Sequence, residues 1–180
     1  MIQLSERLNA MEESATLAMA RLSRELKAQG KDIISLSLGE PDFHTPLFIK
    51  DAAIQAINDN YTTYTPVAGY DDLREAIAKK FLRDNGLNYS KEQIVVSTGA
   101  KQSIANVVLS LINPGDEVII PAPYWVSYIE IVKMAGGIPV IIEAGIEQDF
   151  KINATQLTEA ISQKTKLFIF SSPCNPTGSV

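Results

Sequence analysis

Three short segments of this sequence combine turn chemistry with residues able to meet a ligand. The apolar run Phe168-Ile169-Phe170 ends abruptly at Ser171-Ser172-Pro173-Cys174-Asn175-Pro176-Thr177-Gly178. An apolar run bounded by turn formers predicts a strand buried on both faces, and ligands of open α/β sheets bind beyond the carboxyl ends of such strands. Asn175 is the polar residue best placed to meet one, and Pro176 biases it toward extended backbone. A plain Asn-Pro-Thr-Gly turn accounts for the same residues. Upstream, Ile94-Val95-Val96 leads into Thr98-Gly99-Ala100-Lys101-Gln102 and then a helical pattern. Small residues at a helix start, where N–H groups and the positive end of the helix dipole converge, suit a phosphate. The spacing fits neither the P-loop nor the dinucleotide fingerprint, which argues against an ATPase or a nicotinamide enzyme. Lys101 is equally compatible with a solvated first-turn lysine. Between these segments, Pro121-Ala122-Pro123-Tyr124-Trp125 puts the single tryptophan of the chain after another apolar run. Its indole could stack on a flat ring or pack in the core with Tyr128 and Ile129.

Taken together, these strand ends offer an anion loop, an aromatic plate and a side-chain amide. They would hold the phosphate, ring face and ring oxygen of one flat phosphorylated cofactor, the outline of pyridoxal phosphate. His44 and Cys174 read as local residues rather than catalysts, because a cysteine nucleophile needs a nearby base. One histidine and one cysteine cannot make a zinc site on their own, so no metal is expected.

The elements that must position these loops follow from periodicity. Met19, Leu22 and Leu26 recur at helical spacing within residues 14–29, with Gly30 as the C′ residue. A short strand is predicted over Ile33-Ile34-Ser35-Leu36, and Thr45-Pro46 reads as N-cap and N1 of a helix reaching about Asn58. A further helix starts at Asp71 with Leu73, Ala76, Ile77 and Phe81 on one face. From Gln93 the chain alternates apolar strands with helices: a strand at Ile94-Val95-Val96, a helix carrying Ile104 to Ile112, and a strand at Val118-Ile119-Ile120. A helix including Trp125 and Val132 follows, then a strand from Ile138 to Ile142, a helix opened by a capping box at Asn153, and the strand ending at Phe170. This rhythm predicts an α/β fold of three α/β/α layers with a mostly parallel sheet, preceded by an N-terminal helical arm.

Composition narrows the function. The 180 residues are 46% hydrophobic and 21% charged, an ordinary globular balance. A net charge of -5 offers no footprint for nucleic acid or an anionic membrane. A lone cysteine excludes an internal disulfide and suits a reducing cytosol. The N-terminus lacks a secretory pattern, and no apolar stretch reaches membrane-spanning length, so a soluble cytoplasmic protein is expected.

Gly39-Glu40-Pro41-Asp42-Phe43, Tyr64-Thr65-Pro66-Val67-Ala68-Gly69 with Leu73-Arg74, Thr98 to Gln102, Pro123 to Tyr128 and Asn175 to Gly178, in that order, give the chain a specific resemblance. It resembles the amino-terminal part of class I pyridoxal-phosphate aminotransferases of fold type I, most closely bacterial aspartate aminotransferases. The resemblance implies an arm and part of a small domain over residues 1–45, and the first part of a large cofactor-binding domain over residues 46–180. It implies that Gly99, Ala100 and Lys101 bind the cofactor phosphate, that Trp125 stacks on its ring, and that Asn175 meets the ring oxygen and the substrate α-carboxylate. Gly39 would meet that carboxylate through its backbone. Tyr64 would reach the phosphate of the neighbouring subunit in a homodimer. Ser14, Thr16 and Lys101 would lie near the distal carboxylate of aspartate or glutamate, the amino donor to a 2-oxo acid. The family's Schiff-base lysine, the aspartate at the pyridine nitrogen and the arginine clamp all fall beyond Val180. The chain alone is therefore expected to be an inactive amino-terminal portion holding no catalytic residue. Two other classes compete: a non-catalytic aminotransferase-like module, and a nucleotide-binding α/β protein whose loops these residues do not match.

Overall fold

The computed structural model describes residues 3–9, 11–12, 14–36 and 38–180. The regular elements are α1 (Glu6–Asn9), α2 (Ala15–Ala28), α3 (Leu47–Asn58), α4 (Asp71–Asn85), α5 (Ala100–Leu111), β1 (Glu117–Ala122), α6 (Ser127–Met134), β2 (Ile138–Glu143), α7 (Ala154–Ala160) and β3 (Thr165–Phe168). The chain divides into two compact units. One comprises residues 1–38 and 104–180, the other residues 39–103.

In the first unit the strands form one parallel sheet in the order β2-β1-β3. Glu117 pairs with Ile138 on one side and with Thr165 on the other, and the β1·β3 register shifts between Glu117 and Val118. Parallel strands need a crossover, and each crossover here carries a helix: α6 between β1 and β2, α7 between β2 and β3. Successive side chains of a strand face opposite ways, yet Val118, Ile119 and Ile120 are all buried. The central strand is therefore covered on both faces, as its unbroken apolar run requires. Val118 and Ile120 join Val108, Ile112, Tyr128, Ile131 and Val132 in the core, with Ile104, Trp125 and Ile169 packed against it. The capping box at Asn153 is present: its side chain accepts from the Gln156 N–H at 2.9 Å, and its own N–H donates to Gln156 Oε1 at 3.0 Å. The N-terminal arm touches α6, where the Glu12 N–H donates to Glu130 Oε2 at 3.1 Å.

The second unit is helical. Tyr61 and Tyr70 meet edge to face, as do Phe81 and Tyr89. A single turn of 3-10 helix at Lys91–Gln93 packs against α4.

Several elements differ from the pattern-based expectation. Ile33 to Leu36 and Ile94 to Val96 form no ladder among the described residues. Both are apolar, but a strand also needs a neighbour to pair with. The helix after Thr45 begins at Leu47 with Pro46 at the N-cap position, one residue later than expected. Trp125 precedes α6 rather than lying within it. β3 ends at Phe168, although the Ile169 N–H still donates to the Ile119 carbonyl at 2.9 Å. This strand lies at the sheet edge and is not buried on both faces: Phe170, just past it, is 63% exposed and stacks on Phe168.

Candidate functional site

β1 and β3 are neighbours and parallel, so the loops that leave them emerge at the same carboxyl edge of the sheet. The loop after β1 carries Trp125, and the loop after β3 carries Asn175. They are joined directly, because the Cys174 thiol donates to the Pro123 carbonyl at 3.4 Å. The second loop also closes on itself. Cys174 N–H donates to the Ser179 carbonyl at 2.8 Å, Gly178 N–H to the Cys174 carbonyl at 2.7 Å, and Asn175 N–H to Ser171 Oγ at 3.2 Å. With its backbone held this way, the Asn175 side chain is exposed. Trp125 is half-buried and meets Tyr128 edge to face, ring centres 5.6 Å apart and planes at 87°. Tyr128 anchors the indole to the core, and the accessible remainder of the ring can take a flat ligand.

In the second unit, Gly99 adopts φ +84°, and α5 starts at the next residue. That backbone region suits glycine, and it turns the chain so that first-turn N–H groups of α5 point out of the helix end. Gly99 N–H bonds back to the Ser97 carbonyl at 2.9 Å, and Thr98 N–H donates to the Gln102 side-chain oxygen. Ala100 and Lys101 occupy the first turn and are exposed. A left-handed glycine, small residues and a helix start form a cradle that fits an anionic phosphate ester.

The remaining sequence candidates fall as follows. Tyr64 is fully exposed at 105%, beside the equally exposed Val67. A Cβ built at Gly39 would meet nothing within 4 Å, so the described residues impose no steric need for glycine there. Ser14 occupies the N-cap position of α2 without a side-chain cap, and Thr16 lines a groove between α2 and residues 33–36. His44 is exposed and Cys174 is a half-buried free thiol. Within the first unit the structure brings the loops of Trp125 and Asn175 together; within the second it places Gly99, Ala100 and Lys101 on one helix start. An apolar cavity of about 420 Å³ between Tyr124, Phe150, Leu157 and Phe170 is lined by neither Trp125 nor Asn175.

Sequence reasoning did not find the Cys174 tie, because a lone cysteine gives no signal of its partner. It also gave no separate role to Arg74, although that residue stood within the quoted Leu73-Arg74 pair. Its guanidinium donates twice to the Lys91 carbonyl, at 2.9 and 2.7 Å, and once to Asp71 Oδ1 at 3.1 Å. Lys91 Nζ takes the other Asp71 oxygen at 2.8 Å. Its hydrogen bond and charge hold the Asp71 carboxyl below its ordinary range, and Asp71 in turn raises Lys91.

A parallel α/β sheet with ligand-ready loops at its carboxyl edge defines a class, and comparison with known proteins defines the family. The family model for aminotransferase class I and II matches residues 31–180, and the chain belongs to that family. It is 54% identical over 179 residues to the aspartate/prephenate aminotransferase of Nitrosomonas europaea, covering 99% of this chain and 45% of that protein. It is 52% identical to the aspartate aminotransferase of Bacillus sp. strain YM-2, covering 98% of this chain and 45% of that protein. The solved aspartate aminotransferase of Thermus thermophilus with maleate superimposes with a TM-score of 0.92 at 45% identity, covering 98% of this chain and 46% of that one. The chain thus spans about half the length of the relatives it matches.

Proposed function

We propose that the natural protein carrying this sequence is a pyridoxal-phosphate-dependent aminotransferase acting on an acidic amino acid and a 2-oxo acid. The observation that carries the reading is the joined pair of loops at the carboxyl edge of β1 and β3. They present an anchored indole and an exposed amide on two loops tied together by the Cys174–Pro123 hydrogen bond. In this reading Gly99, Ala100 and Lys101 hold the cofactor phosphate through backbone N–H groups, and Tyr64 reaches the phosphate of a second subunit. Full exposure of Tyr64 supports that outward role. Trp125 covers one face of the cofactor ring and excludes water from it, while the Asn175 amide donates to the ring oxygen and orients the substrate carboxylate. Gly39 offers backbone N–H to the same carboxylate. When bound, pyridoxal phosphate supplies a sink for the electron pair left when the substrate loses its α-proton. The residues described here bind and orient; none of them moves that proton.

Ser14, Thr16 and Lys101 are assigned to the distal carboxylate of aspartate or glutamate. The aspartate aminotransferase names of the relatives, and the dicarboxylate maleate bound by the Thermus protein, support that choice. The working assembly is a homodimer in the cytoplasm. No helix among the described residues is long and apolar enough to cross a membrane. The test is transfer from aspartate to 2-oxoglutarate by the purified natural protein, followed as oxaloacetate with and without added cofactor. Cofactor-dependent oxaloacetate formation is expected. Saturable cofactor binding without transfer to any 2-oxo acid would instead favour a non-catalytic binding module.

A further inference from the structure

The anion loop at Gly99 to Lys101 needs a fixed position, yet the segment leading into it, Ile94 to Ser97, has no ladder partner among the described residues. Two contacts take the ladder's place, one from Arg74 in the first turn of α4 and one from the loop that precedes it. At the start of the segment, the Arg74 fork grips the Lys91 carbonyl with Nε and Nη2, and the Ile94 N–H donates to the same oxygen at 3.2 Å. Arg74 is itself locked, with its side chain only 13% exposed and Nη1 on the Asp71 carboxylate. Near the end of the segment, the Val96 N–H donates to the Ala68 carbonyl at 3.0 Å. Gly69 then passes so close to Val96 that a Cβ there would lie 2.7 Å from Cγ2, while its φ of +96° disfavours any other residue. Gly99 follows three residues after Val96.

We infer that Arg74 is a positioning residue for the phosphate-binding loop, setting the Gly99–Ala100–Lys101 cradle by fixing the backbone that enters it. Gly69 is the second fixed point. This role rests on the cofactor reading above. The guanidinium suits the task because its planar fork delivers two N–H groups to one oxygen and a third to a carboxylate, which a lysine ammonium on a flexible stem cannot hold in the same geometry.

The role predicts a loss confined to the phosphate end of the ligand. In the full-length protein, binding of pyridoxal phosphate and of pyridoxal, which lacks the phosphate, is measured for the unmodified protein, Arg74→Met and Arg74→Lys. Inorganic phosphate serves as competitor and urea unfolding as the stability control. Arg74→Met is expected to weaken pyridoxal phosphate about tenfold, the equivalent of one charge-assisted hydrogen bond, with pyridoxal affinity unchanged within about twofold. Inorganic phosphate should weaken in parallel, and Arg74→Lys should fall between. If Arg74→Met does not fold, the same comparison on Arg74→Lys decides. Equal weakening of both ligands, or of neither, overturns the positioning role. An unmodified protein that binds both ligands equally would overturn the phosphate assignment of Gly99 to Lys101 and this inference with it.

Discussion

Trp125 offers the sharpest test, because the structure gives it two separable jobs. Its inner edge packs on Tyr128 and the core cluster, and its accessible part is the proposed cover for the cofactor ring. Truncating a fully buried tryptophan to alanine costs about 3–5 kcal/mol. Half-burial reduces that to about 2 kcal/mol, including about 1 kcal/mol for the edge-to-face pair with Tyr128. Trp125→Ala should therefore lower the stability of the cofactor-free natural protein by about 2 kcal/mol, read as a shift in the urea midpoint at unchanged slope. Losing the stacked ligand ring should separately weaken cofactor binding by about threefold to tenfold, from the ~0.5–1.5 kcal/mol an aromatic pair contributes. Trp125→Phe keeps a ring in both places and should lie between. An unchanged midpoint in the cofactor-free protein would refute the packing argument. Unchanged cofactor affinity with a lowered midpoint would refute the stacking role and leave a core tryptophan.

Three further outcomes follow from the structure. Ile120, 0% exposed at the centre of the sheet, should cost about 2–5 kcal/mol on replacement by alanine, checked by chemical denaturation; a loss below about 1 kcal/mol would mean the site collapses around the cavity. The lowered Asp71 carboxyl stabilises the fold above its unfolded value, and that contribution is lost as pH falls through the folded value, below about pH 4. Asp71→Asn should therefore flatten the acid limb of the stability profile; an identical limb would show that the exposed pair contributes nothing. Lys101→Ala should raise KM for aspartate more than for an aromatic amino acid, whereas equal effects would restrict Lys101 to the phosphate.

What could be read from the sequence, and what could not, follows from how many partners each feature requires. The capping box at Asn153 and the start of α4 at Asp71 depend on residues a few positions apart, so local pattern was enough. The buried run Val118 to Ile120 was equally plain, since a strand covered on both faces must be apolar throughout. Ile94 to Val96 carries the same apolar signal, and Ile94 is indeed buried, but Val95 is 65% exposed and no strand pairs with the segment among the described residues. Hydrophobicity reports a tendency to leave water, whereas a ladder is a property of two segments and cannot be read from one. The same distinction governs the candidate site. Gly99 was legible because small residues ahead of a helical pattern are a local signal, and α5 does begin at the next residue, Ala100. The grip of Arg74 on Lys91 spans 17 positions, and the reach of Cys174 to Pro123 spans 51. Neither has a spacing that could announce it. The groups proposed to touch the ligand were thus visible from residue type, while the groups that hold them in place became visible only once the chain was folded.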